Sequence, residues 1–309
     1  MNILVAGGAG FIGSHLVDKL AILSEDIVVI DNLCLGKKAF IEKHLGRPNF
    51  SFYEFDITDT QRLDAVFDKH KFDRVYQLAA NSDIQKSAQN PDIDFHHTLE
   101  TTFSILKSMR KYDVKSLFFA STSAVYGNKK ELLREDSGDL SPISYYGAAK
   151  LSSEALISAF SAMCDMNVTV MRFPNVIGKR LTHGVIHDFI KKLRNNPEEL
   201  EILGDGKQEK PYIYVQDLID AILFLPFKTG MNIFNVGLET STTVIRIADI
   251  ICEEMKLKNV KYKLTGGSIG WKGDVSKFQY DLHKIHNTGW SAKFTSDEAV
   301  RIAVKEALS

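Results

Sequence analysis

Cysteine is scarce in this chain: Cys34, Cys164 and Cys252 are the only three among 309 residues. Odd in number and far apart in sequence, they exclude a disulfide framework or a cysteine-built zinc site as organising features and fit a reducing cytoplasm. An excess of one charge is missing as well. Thirty-eight basic residues against thirty-nine acidic ones leave a net charge of −1, without the basic field that nucleic acid or an anionic membrane demands. The cluster Lys191-Lys192 with Arg194 reads as one solvated helix face. No apolar run is long enough to span a bilayer, and the chain opens directly on a structural strand, so neither export nor anchoring is expected. Repeats, linkers and low-complexity tracts are absent too. The result is a globular chain, 44% hydrophobic, able to bury one large core or two moderate ones.

What is present is concentrated first between Met1 and Asp31. The apolar run Ile3-Leu4-Val5-Ala6 meets Gly7-Gly8-Ala9-Gly10-Phe11-Ile12-Gly13, and a second run, Asp26-Ile27-Val28-Val29-Ile30, ends at Asp31. The G-x-x-G-x-x-G spacing of Gly7, Gly10 and Gly13 predicts a tight turn opening a helix from about Phe11 to Leu23. The bare backbone of such a turn can press against a pyrophosphate at the helix N-terminus. Its first interval is one residue longer than the usual dinucleotide fingerprint, the variant of the short-chain dehydrogenase/reductase class. Asp31, at the carboxyl end of a second buried parallel strand, is placed to accept hydrogen bonds from the adenosine ribose hydroxyls. A 2′-phosphate would be repelled there, so the cofactor is read as NAD rather than NADP.

Strand and helix signals continue to alternate, which argues for an α/β fold of Rossmann type, a doubly wound parallel sheet. Strands are expected at Ile3–Ala6, Ile27–Ile30, Phe50–Glu54, Arg74–Leu78, Ser116–Ala120 and Val168–Phe173, with amphipathic segments at Thr60–Lys69, Ile93–Lys111 and Tyr146–Met163. Beyond about Phe173 the alternation breaks down into glycine turns, short strands and helices, a smaller mixed α/β lobe. Tyr212-Ile213-Tyr214-Val215 with the helical Gln216–Leu225 is expected to return the chain to the first lobe. The domains are thus read as interleaved: 1–174 plus about 211–237 for the cofactor, about 175–210 plus 238–309 for substrate.

Two further motifs turn a nucleotide-binding fold into an enzyme. Ser121-Thr122-Ser123-Ala124-Val125-Tyr126-Gly127 follows the fifth strand, which puts its hydroxyls at the carboxyl edge of the sheet where ligands bind. Tyr146-Gly147-Ala148-Ala149-Lys150 sets a phenol and an ammonium four apart on one helix face. A free phenol, with a pKa of roughly 10, is a poor base at neutral pH, and a neighbouring cation lowers that value. Lys150, helped by the positive charge of oxidised nicotinamide, is expected to supply that field. Tyr146 then takes a substrate hydroxyl proton while hydride leaves the same carbon, and Thr122 hydrogen-bonds the reacting oxygen. Taken singly, Y-x-x-x-K is common by chance. Its weight comes from following a glycine turn, a strand-end Asp and a hydroxyl-rich strand end in the order one site requires.

With these motifs the chain resembles the extended short-chain dehydrogenase/reductases, in their nucleotide-sugar epimerase/dehydratase family. The resemblance runs over essentially the whole sequence, through Gly7–Ser14, Asp31-Asn32-Leu33, Asp56-Ile57, Leu78-Ala79-Ala80, Ser121–Gly127, Pro142–Lys150, Arg172–Gly178, Gly204-Asp205-Gly206, Tyr214-Val215 with Asp217, Asn235-Val236-Gly237 and Gly289-Trp290. It implies that Gly7, Gly10, Phe11, Ile12, Gly13, Asp31 and Asn32 contact NAD, that Asp56 and Ile57 hold its adenine, and that Leu78, Ala79 and Ala80 line it beside Tyr146 and Lys150. It implies a UDP- or GDP-linked sugar held by Thr122, Ser123, Asn175, Val185, Lys210 and Lys272, and a homodimer paired through helices of about Ile93–Lys111 and Tyr146–Met163.

The chain departs from the family pattern in three places. Lys210 and Lys272 stand where many relatives carry arginine, and lysine neutralises a diphosphate as a point charge without the bidentate fork. His96-His97-Thr98 lacks an asparagine common there; the histidines could reach the site but are read first as surface or interface residues, and no His/Cys cluster points to a metal. Dehydratases of this kind place a carboxylate directly after the active-site Thr, whereas Ser123 and Ala124 follow here and neither can move protons as an acid or base. The implied reaction is oxidation of a nucleotide sugar at C4, as a 4-epimerase. A 4-dehydrogenase is the near alternative, and a non-catalytic NAD-binding sensor or nucleic-acid-associated relative the distant ones.

Overall fold

Strand β1 (Asn2–Ala6) has four residues, Ile3 to Ala6, with no exposed surface, and β2 (Asp26–Asp31) is almost as apolar. Such unbroken hydrophobic runs fit only a strand covered on both faces. In the computed structural model, which describes the chain apart from Ser24, residues 268–272 and Asp274, they lie side by side within a seven-stranded sheet. With β3 (Phe50–Glu54), β4 (Arg74–Gln77), β5 (Ser116–Thr122), β6 (Asn167–Phe173) and the late strand Gly230–Asn235, the order is Gly230–Asn235, β6, β5, β4, β1, β2, β3. β1 pairs in parallel with both β2 and β4, β2 with β3, and β4 with β5. The order reverses between β1 and β4, the switch point where doubly wound sheets open a crevice at their carboxyl ends.

Four main helices flank this sheet: α1 (Phe11–Ile22), α2 (Thr60–His70), α3 (Thr101–Lys111) and α4 (Tyr145–Cys164). α2 starts where Asp59 accepts from Arg62 N and stops at Lys71 in the left-handed conformation (φ 50°). The segment expected as one amphipathic helix over Ile93–Lys111 is not continuous. Asp92–Asp94 passes into a π-helical stretch, Phe95–Glu100, and only then into α3. π-turns of this kind widen the helix and are frequent at functional sites.

The chain divides into two compact units, Met1–Val125 with Tyr145–Arg172 and Leu223–Phe234, and Tyr126–Ser144 with Phe173–Ile222 and Asn235–Ser309. In the second, the helix Val185–Asn195 buries Ile186, Phe189, Ile190 and Leu193, the i, i+3, i+4, i+7 stripe of an amphipathic helix. That face packs into one core with Ile247, Ile251, Val300 and Val304 of the helices Val244–Glu254 and Ser296–Leu308. The division differs from the expected one in two places. Strand Tyr212–Tyr214 pairs in parallel with Asn175–Ile177 inside the second unit, so the chain returns to the first only at Leu223. Tyr126–Ser144 also packs with the second unit, where the Tyr126 hydroxyl donates to Asn235 Oδ1 at 2.7 Å.

Candidate active site

The glycine turn is built from contacts that exclude side chains. Gly7 sits at φ +76°, and a Cβ there would lie 2.7 Å from Ala79 N; one on Gly13 would lie 2.2 Å from Gly7 O. At Gly10, the N-cap of α1, a Cβ would meet Gly7 O alone, at 3.1 Å, and no side chain caps the helix. The first N–H groups of α1 thus face outward with the positive end of the helix dipole, as an anionic pyrophosphate requires. Phe11 and Ile12 begin the helix directly behind them.

Asp31 closes the turn from the other side. Its Oδ2 accepts from Ala9 N at 2.9 Å and its Oδ1 from Leu33 N at 2.8 Å. Burial lifts its carboxyl above the ordinary range, against the pull of these backbone bonds. The carboxylate expected to read the ribose therefore also fastens the turn to the end of β2. Beyond it, Asn32 Nδ2 donates to Asp56 Oδ2 at 2.8 Å, while Asp56 Oδ1 accepts from Thr58 N and Oγ1 at 3.0 and 2.7 Å. Burial works to raise the Asp56 carboxyl, but these hydrogen bonds and the charge of His96 bring it down to about 2. Ile57 is buried beside it. Leu78, whose N–H donates to Ala6 O at 3.0 Å, continues with Ala79 and Ala80 as a half-buried edge beside Gly7. The sheet edge thus fits a dinucleotide from phosphate to adenine.

The residues expected to be catalytic gather one strand away. Thr122 ends β5, and its hydroxyl accepts from Ala124 N at 3.2 Å and stands close enough to Tyr146, near the start of α4, to draw the phenol's pKa down. Ser123, half-buried, opens the short helical turn Ser123–Tyr126. α4 is 20 residues long, yet its buried stripe carries Lys150, Ser153, Glu154 and Ser161 among apolar residues, an expensive choice unless each polar group is paired. Lys150 Nζ donates to Ala120 O at 2.7 Å and lies 4.8 Å from the Phe119 ring centroid and 6.0 Å from that of Tyr146.

The side chains by themselves run against the lowered Tyr146 pKa expected from Lys150 together with oxidised nicotinamide. Burial pushes the phenol up to about 12, with Thr122 working against it, and holds Lys150 down at about 7, with Glu154 and Asp94 pulling it back up. The cause is shared: both groups are taken out of water, which disfavours the charged form of each.

Several polar side chains packed around the site residues carried no sequence signal of their own. Glu154 receives Ser121 Oγ and Arg172 Nε on Oε1, the latter at 3.1 Å, and Arg172 Nη2 on Oε2 at 2.6 Å. Only the i, i+4 step from Lys150 hints at it. Asp94, 1% exposed, takes Asn81 Nδ2 on Oδ1 at 2.8 Å and raises the pKa of both Tyr146 and Lys150. His96 and His97, read as surface residues, stand beside Asp56, with His96 Nε2 3.3 Å from Asp56 Oδ2.

The expected substrate residues lie in the second unit, apart from Thr122 and Ser123. Asn175, exposed, begins the strand Asn175–Ile177 in register with Tyr212. Val185 begins its helix after Gly184, and Lys210 lies opposite Thr242 in the short pair Glu209–Lys210 with Thr242–Thr243. Lys272 lies outside the described residues.

Known proteins share this architecture. The model of the NAD dependent epimerase/dehydratase family matches residues 3–237. The chain is 33% identical to a putative UDP-glucose 4-epimerase of Methanocaldococcus jannaschii, over 98% of this chain and 97% of that protein. Among solved structures it is similar to the UDP-glucose 4-epimerase of Thermotoga maritima with UDP-glucose, at 33% identity and a TM-score of 0.89, covering 100% of this chain and 99% of that one. It is similar also to the Thermus thermophilus UDP-glucose 4-epimerase in complex with NAD, at 28% identity and a TM-score of 0.87, over 99% and 98% of the two chains. Because the family match begins in β1, takes in Thr122, Tyr146 and Lys150, and runs past the edge strand Gly230–Asn235, the chain belongs to the NAD-dependent epimerase/dehydratase family.

Proposed function

We propose that this chain is a nucleotide-sugar 4-epimerase that uses tightly held NAD to oxidise a UDP-linked sugar at C4 and reduce it again from the opposite face. The observation that carries this reading is the set of Thr122 at the end of β5 with Tyr146 and Lys150 one helical turn apart on α4, Thr122 and Lys150 both buried, with no carboxylate on Ser123 or Ala124. NAD held by the glycine turn, Asp31 and Asp56 would supply the hydride acceptor and donor and, in its oxidised form, a positive charge. Tyr146 takes the C4 hydroxyl proton and later gives it back. Thr122 holds the same oxygen in place, and Lys150 contributes its charge beneath the phenol. Since burial and Asp94, against Thr122, leave Tyr146 at about 12, the added positive charge is what would bring its proton within reach at neutral pH.

A 4,6-dehydratase needs a further acid and base at C5 and C6, and the residues after Thr122 offer none. UDP is favoured over GDP because the relatives named above are UDP-glucose 4-epimerases. Asn175, Val185, Lys210 and Lys272 are proposed to hold the diphosphate and sugar. A homodimer formed by α3 and α4 is supported by Phe103 and Met163, which are 39% and 85% exposed on those helices; sedimentation at micromolar concentration reads it directly. For the chemistry, Tyr146→Phe removes the proton acceptor but keeps the ring. Turnover should fall at least a thousandfold, on the order of a lost general acid–base group, with NAD binding retained; full activity would contradict the assignment.

A further inference from the structure

Among the described residues, one group of metal-ligand atoms stands together: Asp56, which follows β3, and His96 and His97 in the π-helical stretch Phe95–Glu100. One carboxylate oxygen and one nitrogen from each ring lie within 4.8 Å of one another. His96 Nε2 is 3.3 Å from Asp56 Oδ2, and the two rings meet edge to face with centroids 4.8 Å apart. On its other side His96 Nδ1 is 2.7 Å from Glu100 Oε2. The side chains are reachable from water, His96 being 41% and Asp56 33% exposed.

We propose that Asp56, His96 and His97 bind one divalent transition-metal ion of the zinc type, with Glu100 orienting His96 through Nδ1.

Two imidazoles and one carboxylate are the donor set of zinc and its neighbours, and a poor one for magnesium or calcium, which prefer oxygen throughout. Zinc bonds of about 2.0–2.1 Å in a tetrahedron put adjacent ligand atoms about 3.3 Å apart. His96 and Asp56 already stand at that separation. His97, half-buried on the same turn, closes the third corner by side-chain rotation, and the fourth is left to water. The Glu100–His96 contact is the carboxylate–imidazole arrangement that fixes the tautomer of a ligating histidine, leaving the proton on Nδ1 and the lone pair of Nε2 free for metal. Asp56 keeps its bonds to Thr58 through Oδ1, so only Oδ2, shared with Asn32, turns to the ion.

The consequence for the cofactor rests on the proposed placement of adenine at Asp56. Metal and adenine then share one carboxylate, and each weakens the other by the same factor.

The test uses the intact chain freed of NAD, after chelator treatment and dialysis, titrated with Co2+ and Zn2+ alone. Expected are one ion per chain and the visible absorption of tetrahedral Co2+, both lost in His96→Gln and in His97→Gln. Glu100→Gln should weaken binding about 10–100-fold, the usual cost of losing such an outer partner. His183→Gln with His187→Gln, at surface histidines elsewhere, should leave binding unchanged. Retention of the ion by both the His96 and His97 variants, or no binding by the unaltered chain at micromolar Zn2+, would overturn the site. Normal NAD binding by His97→Gln separates failure of the metal site from failure of the cofactor reading.

Discussion

Arg172, on β6, places Nη2 2.6 Å from Glu154 Oε2 on α4, with the two side chains 2% and 4% exposed. The pair lies one helical turn along α4 from Lys150, and the same carboxylate receives the hydroxyl of Ser121, the residue before Thr122. A strand-end threonine and a helix-borne lysine are thereby fixed to one buried ion pair.

Removing one partner leaves the other buried and uncompensated. Glu154→Gln and Arg172→Met are each expected to cost about 3–5 kcal/mol, and the combination of Glu154→Leu with Arg172→Met to cost less than their sum. Urea denaturation of the single and double variants measures this. Strictly additive losses would mean the two side chains do not act as a pair.

The Lys150 ammonium makes a second prediction, about pH. Burial holds its folded-state pKa at about 7, below the ordinary 10.5. Between those values the unfolded chain keeps a proton that the folded chain has released, so this group makes the fold more stable as pH rises; below pH 7 both states hold the proton and its contribution is level. Tyr146, raised to about 12, acts with the opposite sign only above pH 10. In NAD-free protein, unfolding free energy between pH 7 and 9 should rise by roughly 1–2 kcal/mol more than in Lys150→Met. Equal slopes would remove Lys150 as the cause.

Asp31 has two tasks, and one substitution separates them. Asp31→Asn keeps the size but removes the charge that repels a 2′-phosphate. The preference for NAD over NADP should shrink by roughly 10–100-fold, the scale of one charged hydrogen bond. Because the carboxylate also holds Ala9 N and Leu33 N, affinity for NAD itself should fall too. Cofactor titrations followed by fluorescence read both. An unchanged NAD/NADP ratio would show that Asp31 serves the turn alone.

Much of this was legible in the sequence because it is local. The glycine turn and Asp31 are set by backbone geometry over one strand–turn–helix, and the expected strand Phe50–Glu54 and helix over Tyr146–Met163 fall within a residue of those observed. What was not legible depends on contacts distant along the chain. Asp56 and His96 are forty residues apart, and the π-turn that aims the histidines follows no apolar period. Glu154 sits where helical spacing reads simply as a face of α4; its partner lies eighteen residues on, between Met171 and Phe173 in a buried strand. The return of the chain to the first unit was misplaced at Tyr212-Ile213-Tyr214 because an apolar strand does not declare which sheet it joins.

The central claim is that the C4-oxidised sugar is kept and reduced again. Purified enzyme incubated with UDP- and GDP-sugars, with product stereochemistry followed by NMR and reduced cofactor by absorbance, tests this most directly. The account predicts a C4 epimer of a UDP-sugar with no net NADH, and neither signal from Tyr146→Phe. Stoichiometric NADH with a released 4-keto sugar and no epimer would contradict it.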